Sequence, residues 1–251
     1  MLQLFVMRID LNADVGEGFA SDAELIPLLS SANISCGVHA GSAELTRQTI
    51  SYCQQFGVRI GAHPSYPDRA NFGRIRPALS DTALAQSLTQ QLLEFNGFAQ
   101  ELGAKVSYVK AHGALYNDLM DDQILAQQYL AVLQSAMPTC AIMTMPYGAL
   151  FETAMQRGLT VIKEGFADRR YLSNGRLTPR QQQGALLAPS ETLMQALQLA
   201  RSLPIRANAA ELAIAVESIC LHGDNPHAVA QARLIRQLLL RQGFCIAGAS
   251  A

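Results

Sequence analysis

No stretch of the 251-residue sequence approaches the roughly 18 consecutive apolar residues that cross a bilayer, which excludes a helical membrane span. Charge of one sign is not in excess: 19 Lys and Arg stand against 20 Asp and Glu, for a net charge of −1. A chain so balanced gives neither nucleic acid nor an anionic membrane an electrostatic footing. Its five cysteines, an odd number, form no CxxC pair, so a disulfide framework is excluded and a reducing, cytoplasmic setting is expected. No GxxxxGK[ST] stretch occurs, and DVGEG fails to complete GxGxxG because Ser21 holds the sixth place. A nucleotide would therefore not be held by a P-loop. Linkers rich in Pro and Ser, low-complexity tracts and internal repeats are missing as well, so one domain over residues 1–251 is expected. The opening MLQLFVM is too short for a secretory signal and lacks its basic flank. Residues 1–7 read as a loosely ordered extension, with the patterned sequence beginning at Arg8-Ile9-Asp10.

What is present reads as a globular α/β chain, 49% apolar and 16% charged. Seven segments have the form of short strands ending in polar or glycine-rich turns. They are RIDLNADVGEG (8–18), ANISCGVHAG (32–41), VRIGAHPS (58–65), VSYVKAHG (106–113), CAIMTMPYG (140–148), TVIKEGFADR (160–169) and ESICLHGDNP (217–226). Leucine-rich amphipathic runs cover 81–102, 119–136 and 189–203. Ser21 to Glu24 has the form of a capping box, and Asn225-Pro226 that of an N-cap and first turn for a helix running to Gly243. Strand alternating with helix predicts a parallel sheet covered by helices. A (β/α) barrel is the expected architecture, with an open doubly wound sheet as the alternative.

In such folds ligands gather at the carboxyl ends of the strands. Asp10, Asn12 and Asp14 share one face of the first strand by the period of two. His39 follows the second strand, His63 the third, and Lys110 and His112 the fourth; Glu164 lies in the sixth. Cys220, His222 and Asp224 share a face of the last. One histidine at a strand end is ordinarily structural. Four of the chain's five at equivalent places, with carboxylates and a lysine, predict a shared polar pocket. Cys36 and Cys220 are expected to be buried apolar groups, because CxxH and CxH are not zinc-ligand spacings. The DVGEG turn offers amides that an anion could use. Two loops concentrate arginine: Arg69, Arg74 and Arg76 in one, Arg169, Arg170, Arg176 and Arg180 in the other. Their forked donors suit carboxylate or phosphate, and the second loop is long enough to act as a lid.

The stretches IDLNADVGEG, SANISCGVHAG, GVRIGAHPSYPDRANFGR, VKAHGALYN, EGFADRRY, GRLTPR and CLHGD closely resemble the LamB/YcsF family of lactam utilization proteins. They run from Ile9 to Asp224, nearly the whole chain. Two positions depart from the family pattern: Ala111 where proline is usual, and Ser42 where aspartate is frequent, a place that suits a helix N-cap. The resemblance implies a seven-stranded β/α barrel related to the polysaccharide deacetylases. It also implies one component, the A component, of an ATP-dependent 5-oxoprolinase, which opens the lactam of 5-oxoproline to glutamate alongside two partner subunits, B and C.

For that reaction the residues suggest roles. Asp10 or Asp14 is the expected general base toward water. Lys110 offsets developing negative charge, and His63 or His112 protonates the leaving nitrogen. Glu164 orients the lysine or a histidine. Asn12, His39, Arg69, Arg74, Arg169, Arg176, Arg180 and His222 are expected to bind substrate or phosphate, and His39 and His222 could instead join Asp14 on a divalent ion of unknown identity. Two rivals stay open: a stand-alone metal-dependent amide or N-acetyl hydrolase needing no ATP, and a ligand-binding subunit without catalysis.

Overall fold

Ile9, Leu11, Ala13 and Val15 alternate with Asp10, Asn12 and Asp14, and in the computed structural model both sets are buried. The apolar set packs outward under helices, and the polar set points into a barrel. The structure describes residues 7–208, 210–225 and 227–248. Along the chain, β1 (Met7–Val15) and the short α1 (Asp22–Leu25) lead to β2 (Ser31–Ser35), α2 (Ala43–Gln55) and β3 (Arg59–His63). Next come α3 (Asp81–Glu101), β4 (Val106–Val109), α4 (Gly113–Asp121), α5 (Gln123–Ala136), β5 (Ala141–Thr144), α6 (Ala149–Gln156) and β6 (Val161–Phe166). The chain finishes with α7 (Pro189–Ala200), β7 (Ile205–Arg206), β8 (Glu211–Leu212), β9 (Ser218–Cys220), α8 (Ala228–Arg241) and β10 (Phe244–Ile246).

Seven parallel strands pair in the order β1, β2, β3, β4, β5, β6, β9, and β9 pairs back onto β1 through Asp10–Ser218 and Asn12–Cys220. The sheet is therefore closed, which rules out the open doubly wound alternative. All seven segments read as strands in the sequence are in the barrel. Two additions were not legible: β10, whose three residues run parallel to Met7–Ile9, and the antiparallel pair β7–β8. Met7 thus belongs to the sheet, while the remainder of the N-terminal segment, residues 1–6, lies outside the described residues. Among the described residues no helix is long and apolar enough to cross a membrane.

The helical boundaries differ from the pattern in four places. Ser21 has helical backbone angles and its hydroxyl caps nothing, so the capping box does not form; Asp22 instead accepts from the Gly16 amide at 2.8 Å. That bond occupies one of the DVGEG amides on which an anion could have drawn. The 119–136 run is two helices, because Asp122 interrupts it and caps α5 by accepting from Ile124 and Leu125. The 189–203 run stops at Ala200, before Ser202 with its φ of 53°. The last helix begins at Ala228, whose amide bonds the Asn225 carbonyl; Pro226 lies outside the described residues. Gly243, at φ 84°, does follow its end. Ser42 caps α2 by accepting from Leu45 at 3.2 Å.

The barrel interior is divided. Tyr108, Ala141, Met143 and Ile162 form a small apolar plug on β4, β5 and β6. Tyr108 has room because β3 carries Gly61 opposite, where a Cβ would sit 2.2 Å from the ring. The β1, β2 and β9 side is polar, a ladder of hydrogen bonds rising toward the carboxyl ends of the strands.

Candidate active site

Asp10 is the lowest rung of that ladder. Its carboxylate accepts from Ser30 at 2.6 Å, from Ser31 at 2.7 Å and from Ser218. It is wholly buried, and burial raises its pKa against the pull of those three hydroxyls. Asn12 comes next, donating to Ser218 at 2.7 Å and accepting from Asn33 at 2.7 Å. Asn33 also donates to Asp14 at 2.8 Å and accepts from Tyr108 at 2.8 Å. Asp14 is the top rung and the first of the three to line a cavity. Asp10 and Asn12 do not reach it, so the general-base role anticipated for Asp10 and the substrate contact anticipated for Asn12 have no access to a ligand there.

The cavity opens at the carboxyl ends of the strands and has a volume of about 370 Å³. Lys110, just beyond β4, crosses its floor to Glu164 Oε1 at 2.7 Å and Asp14 Oδ1 at 3.1 Å, and its Nζ lies 3.3 Å from Cys220 Sγ. Tyr116 of α4 donates to Glu164 Oε2 at 3.0 Å. Burial works against the ammonium, yet Asp14, Cys220 and Glu164 hold its pKa well above the ordinary lysine value. Burial would likewise raise Asp14, but His63 and Lys110 keep it well below the usual carboxylate range. Cys220 is buried as expected, though against a cation rather than in apolar surroundings, while Cys36 is half-buried.

Around Asp14 stand Glu17, His63 and His112. His63 Nε2 lies 3.4 Å from Asp14 Oδ2 and 3.0 Å from His112 Nδ1, and Glu17 Oε1 lies 3.4 Å from that Nδ1. Burial and the neighbouring Asp14 and Asp224 push the Glu17 carboxyl well up. Burial and the adjacent His63 bring His112 down to about 3. His39 sits just behind: its ring stacks on His112 with centroids 3.9 Å apart, and its Nε2 is 3.2 Å from Glu17 Oε1. It therefore meets the site through Glu17 and His112 and does not line the cavity.

The opposite wall carries His222, whose Nδ1 is 3.0 Å from Asp168 and whose ring stacks on Phe166. Arg74, Arg169, Arg176 and Arg180 line the mouth. Arg74 and Arg180 converge on Asp224, each at 2.6 Å, joining the two arginine loops across the opening. Burial raises and Arg180 lowers Asp224, with the net result below the ordinary value. Arg169 donates to the Thr178 carbonyl at 2.7 Å, and Arg176 to Met120 O at 2.9 Å and to Asp121. Arg69 departs from this group. It is exposed, outside the cavity lining, and bonds the Gly37 and Gly41 carbonyls at 2.8 and 2.6 Å, so it ties loops together and does not meet a ligand in this cavity.

Glu17 and Tyr116 join the site without being marked by strand alternation. Glu17 lies between two glycines beyond the strand end, where alternation no longer tells direction; Tyr116 sits one helical turn past His112 on α4, a spacing that was available to be read. The LamB/YcsF family model matches residues 9–251. The chain belongs to the LamB/YcsF family. It is 43% identical over 239 residues to the A subunit of 5-oxoprolinase from Neisseria meningitidis serogroup C, covering 94% of this chain and 98% of that one. To the A subunit of 5-oxoprolinase from Carboxydothermus hydrogenoformans it is 40% identical over 243 residues, covering 95% and 96%. Among solved structures, a lactam utilization protein from Thermus thermophilus superposes with a TM-score of 0.89 at 32% identity, over 96% of this chain and 99% of that one. A peptidoglycan deacetylase from Bacillus subtilis reaches a TM-score of 0.51 at 11% identity, over 97% and 88%, a likeness of fold alone.

Proposed function

We propose that this LamB/YcsF chain is one component of an ATP-dependent 5-oxoprolinase, and that its cavity is where the lactam of 5-oxoproline is opened to glutamate as ATP becomes ADP and phosphate. The observation that carries the reading is Lys110, a buried cation between Asp14 and Glu164 on the floor of a cavity ringed by arginine, in a chain 43% identical to the A subunit of a 5-oxoprolinase.

A five-membered lactam is a resonance-stabilised amide, so its opening needs charge stabilisation at the oxygen, an oriented water and a proton for the nitrogen. Lys110 is fixed by its two carboxylates and faces negative charge developing on the lactam oxygen or on a phosphoryl group attached to it. The rim arginines Arg169, Arg176 and Arg180 receive the substrate carboxylate or phosphoryl oxygens. The floor cluster of Asp14, Glu17, His63 and His112 holds the attacking water and manages its proton as a unit. His222 has its Nδ1–H engaged by Asp168, which leaves the Nε2 lone pair to take up the proton released by the attacking water and pass it to the departing nitrogen. Asp10, Asn12 and Asn33 support the floor from below. ATP enters as co-substrate, and the two partner subunits, B and C, complete the enzyme. The free cysteines fit a cytoplasmic setting.

A second reading, an amide hydrolase that uses a divalent ion and no ATP, is favoured by the two imidazoles and two carboxylates of the floor. Both readings are tested by mixing the purified components, omitting each polypeptide and then ATP in turn, and measuring glutamate and ADP. Loss of both products without this chain, and without ATP, is the expected result. Full turnover without the chain contradicts the proposal, and amide hydrolysis by the chain alone without ATP selects the second reading.

A further inference from the structure

The proton positions on two histidines are dictated by the backbone. His63 Nδ1 lies 2.8 Å from the Lys110 carbonyl, and His112 Nε2 lies 2.9 Å from the Phe72 carbonyl. A carbonyl oxygen only accepts, so each of these nitrogens must carry the hydrogen. The other nitrogen of each neutral ring, His63 Nε2 and His112 Nδ1, is then a bare lone pair. These two atoms are 3.0 Å apart. Asp14 Oδ2 and Glu17 Oε1 complete the group, each 3.4 Å from one of them, and the four residues can each offer a ligand atom within 4.8 Å of the others. Two lone pairs that face each other at 3.0 Å, with a carboxyl oxygen beside each, are relieved by something electropositive placed between them.

We propose that Asp14, Glu17, His63 and His112 form a binding site for one first-row divalent cation of the zinc type. Two imidazole nitrogens with two carboxylate oxygens favour zinc and its neighbours over magnesium or calcium, which prefer all-oxygen shells. Bonds of about 2.0–2.2 Å in a four-coordinate shell set ligand atoms about 3.3 Å apart, close to three of the spacings here, 3.0, 3.4 and 3.4 Å.

The surroundings are those of ligands held for a metal. Each histidine donates its outer N–H to a backbone carbonyl, the arrangement that fixes tautomer and ring direction in metal sites. Asp14 spends Oδ1 on Lys110 and Asn33 and keeps Oδ2 for the centre. His39 Nε2 steadies Glu17 at 3.2 Å. Phe72 adopts a left-handed φ of 58°, an unfavourable conformation for a bulky residue, and in it presents the carbonyl that orients His112. Bound there, such an ion supplies Lewis acidity toward a carbonyl or phosphoryl oxygen. The inference does not depend on the 5-oxoproline reading, because ion binding is measured without substrate, ATP or partners.

The test uses the full chain, stripped by chelator and dialysed, then titrated with Zn(II) by calorimetry and with Co(II) by visible absorption, with metal content measured by mass spectrometry. One equivalent per chain is expected, with Co(II) bands of a low-coordinate N/O site. His112→Ala and the near-isosteric Glu17→Gln, each checked for folding by circular dichroism, should weaken Zn(II) binding at least 100-fold. His39→Phe, behind the site, should weaken it about 10–100-fold. Less than a tenth of an equivalent bound by the folded chain, or unchanged binding in both His112→Ala and Glu17→Gln, overturns the proposal. So does Mg(II) binding as tightly as Zn(II).

Discussion

Lys110 Nζ lies 2.7 Å from Glu164 Oε1, with the lysine 2% and the glutamate 0% exposed. A pair so dry is costly to desolvate and is held together by its own complementarity. Removing one partner leaves the other charge uncompensated. Lys110→Met should therefore destabilise the chain by about 3–5 kcal/mol, read as a shift of the urea midpoint. Adding Glu164→Gln should recover part of that loss, and a double-mutant cycle should return a coupling on the order of 0.5–3 kcal/mol. Additive losses would mean that the two groups do not form a pair in solution.

Asp22 supplies a pH prediction. Burial, opposed by the Gly16 amide, raises its carboxyl from 3.8 to about 6. The folded chain then binds a proton more tightly than the unfolded one, so stability is full below pH about 3.8 and declines as pH rises through about 6. The difference amounts to about 3 kcal/mol at most. Asp22→Asn should flatten the stability profile between pH about 3.8 and about 6 relative to wild type. Denaturant melts across that range measure it; parallel profiles would show that Asp22 titrates normally.

Gly73 and Gly158 share a φ of +66° but not their surroundings. A Cβ at Gly73 would meet Ser65 Oγ at 2.2 Å and His112 Cδ2 at 2.9 Å, whereas at Gly158 nothing stands within 4 Å. Gly158→Ala should cost about 1 kcal/mol from backbone strain alone. Gly73→Ala should cost about 1–3 kcal/mol more and lower turnover, because its methyl group displaces His112. Thermal melts and kinetics of the two variants make the comparison, and equal effects would remove Gly73 from the support of the site.

The rim arginines should affect substrate capture more than chemistry. Arg180, paired with Asp224 at the mouth, should when changed to Ala raise KM about 10–100-fold and lower kcat by a smaller factor. Steady-state kinetics of the assembled enzyme separate these. A fall in kcat with KM unchanged would place Arg180 in the chemical step.

Much of this was legible because a parallel strand buried on both faces leaves little reason for polar residues except a shared interior. Asp14, His63, Lys110, His112, Glu164 and His222 could be gathered from strand ends by alternation and position alone. Alternation assigns a face but not a depth. Asp10 and Asp14 share a face of β1, yet the first is sealed by Ser30, Ser31 and Ser218 while the second lines the cavity. Depth follows from how the barrel closes, a relation among strands that no single segment carries. Loop arginines were harder still. Arg69 and Arg74 are five positions apart in one basic loop, but only Arg74 reaches the mouth, since Arg69 is drawn off by two backbone carbonyls. The failed capping box at Ser21 has a similar origin: Asp22 is claimed by Gly16, and the turn closes around that bond.

The most direct measurement is turnover of the reconstituted enzyme with Asp14→Asn, Lys110→Ala and His112→Ala versions of this chain, each confirmed to be folded. Glutamate and ADP release should fall at least about 100-fold in every one, as expected when charge-stabilising or proton-managing groups are lost. Wild-type rates from all three would show that bond cleavage takes place somewhere other than this cavity.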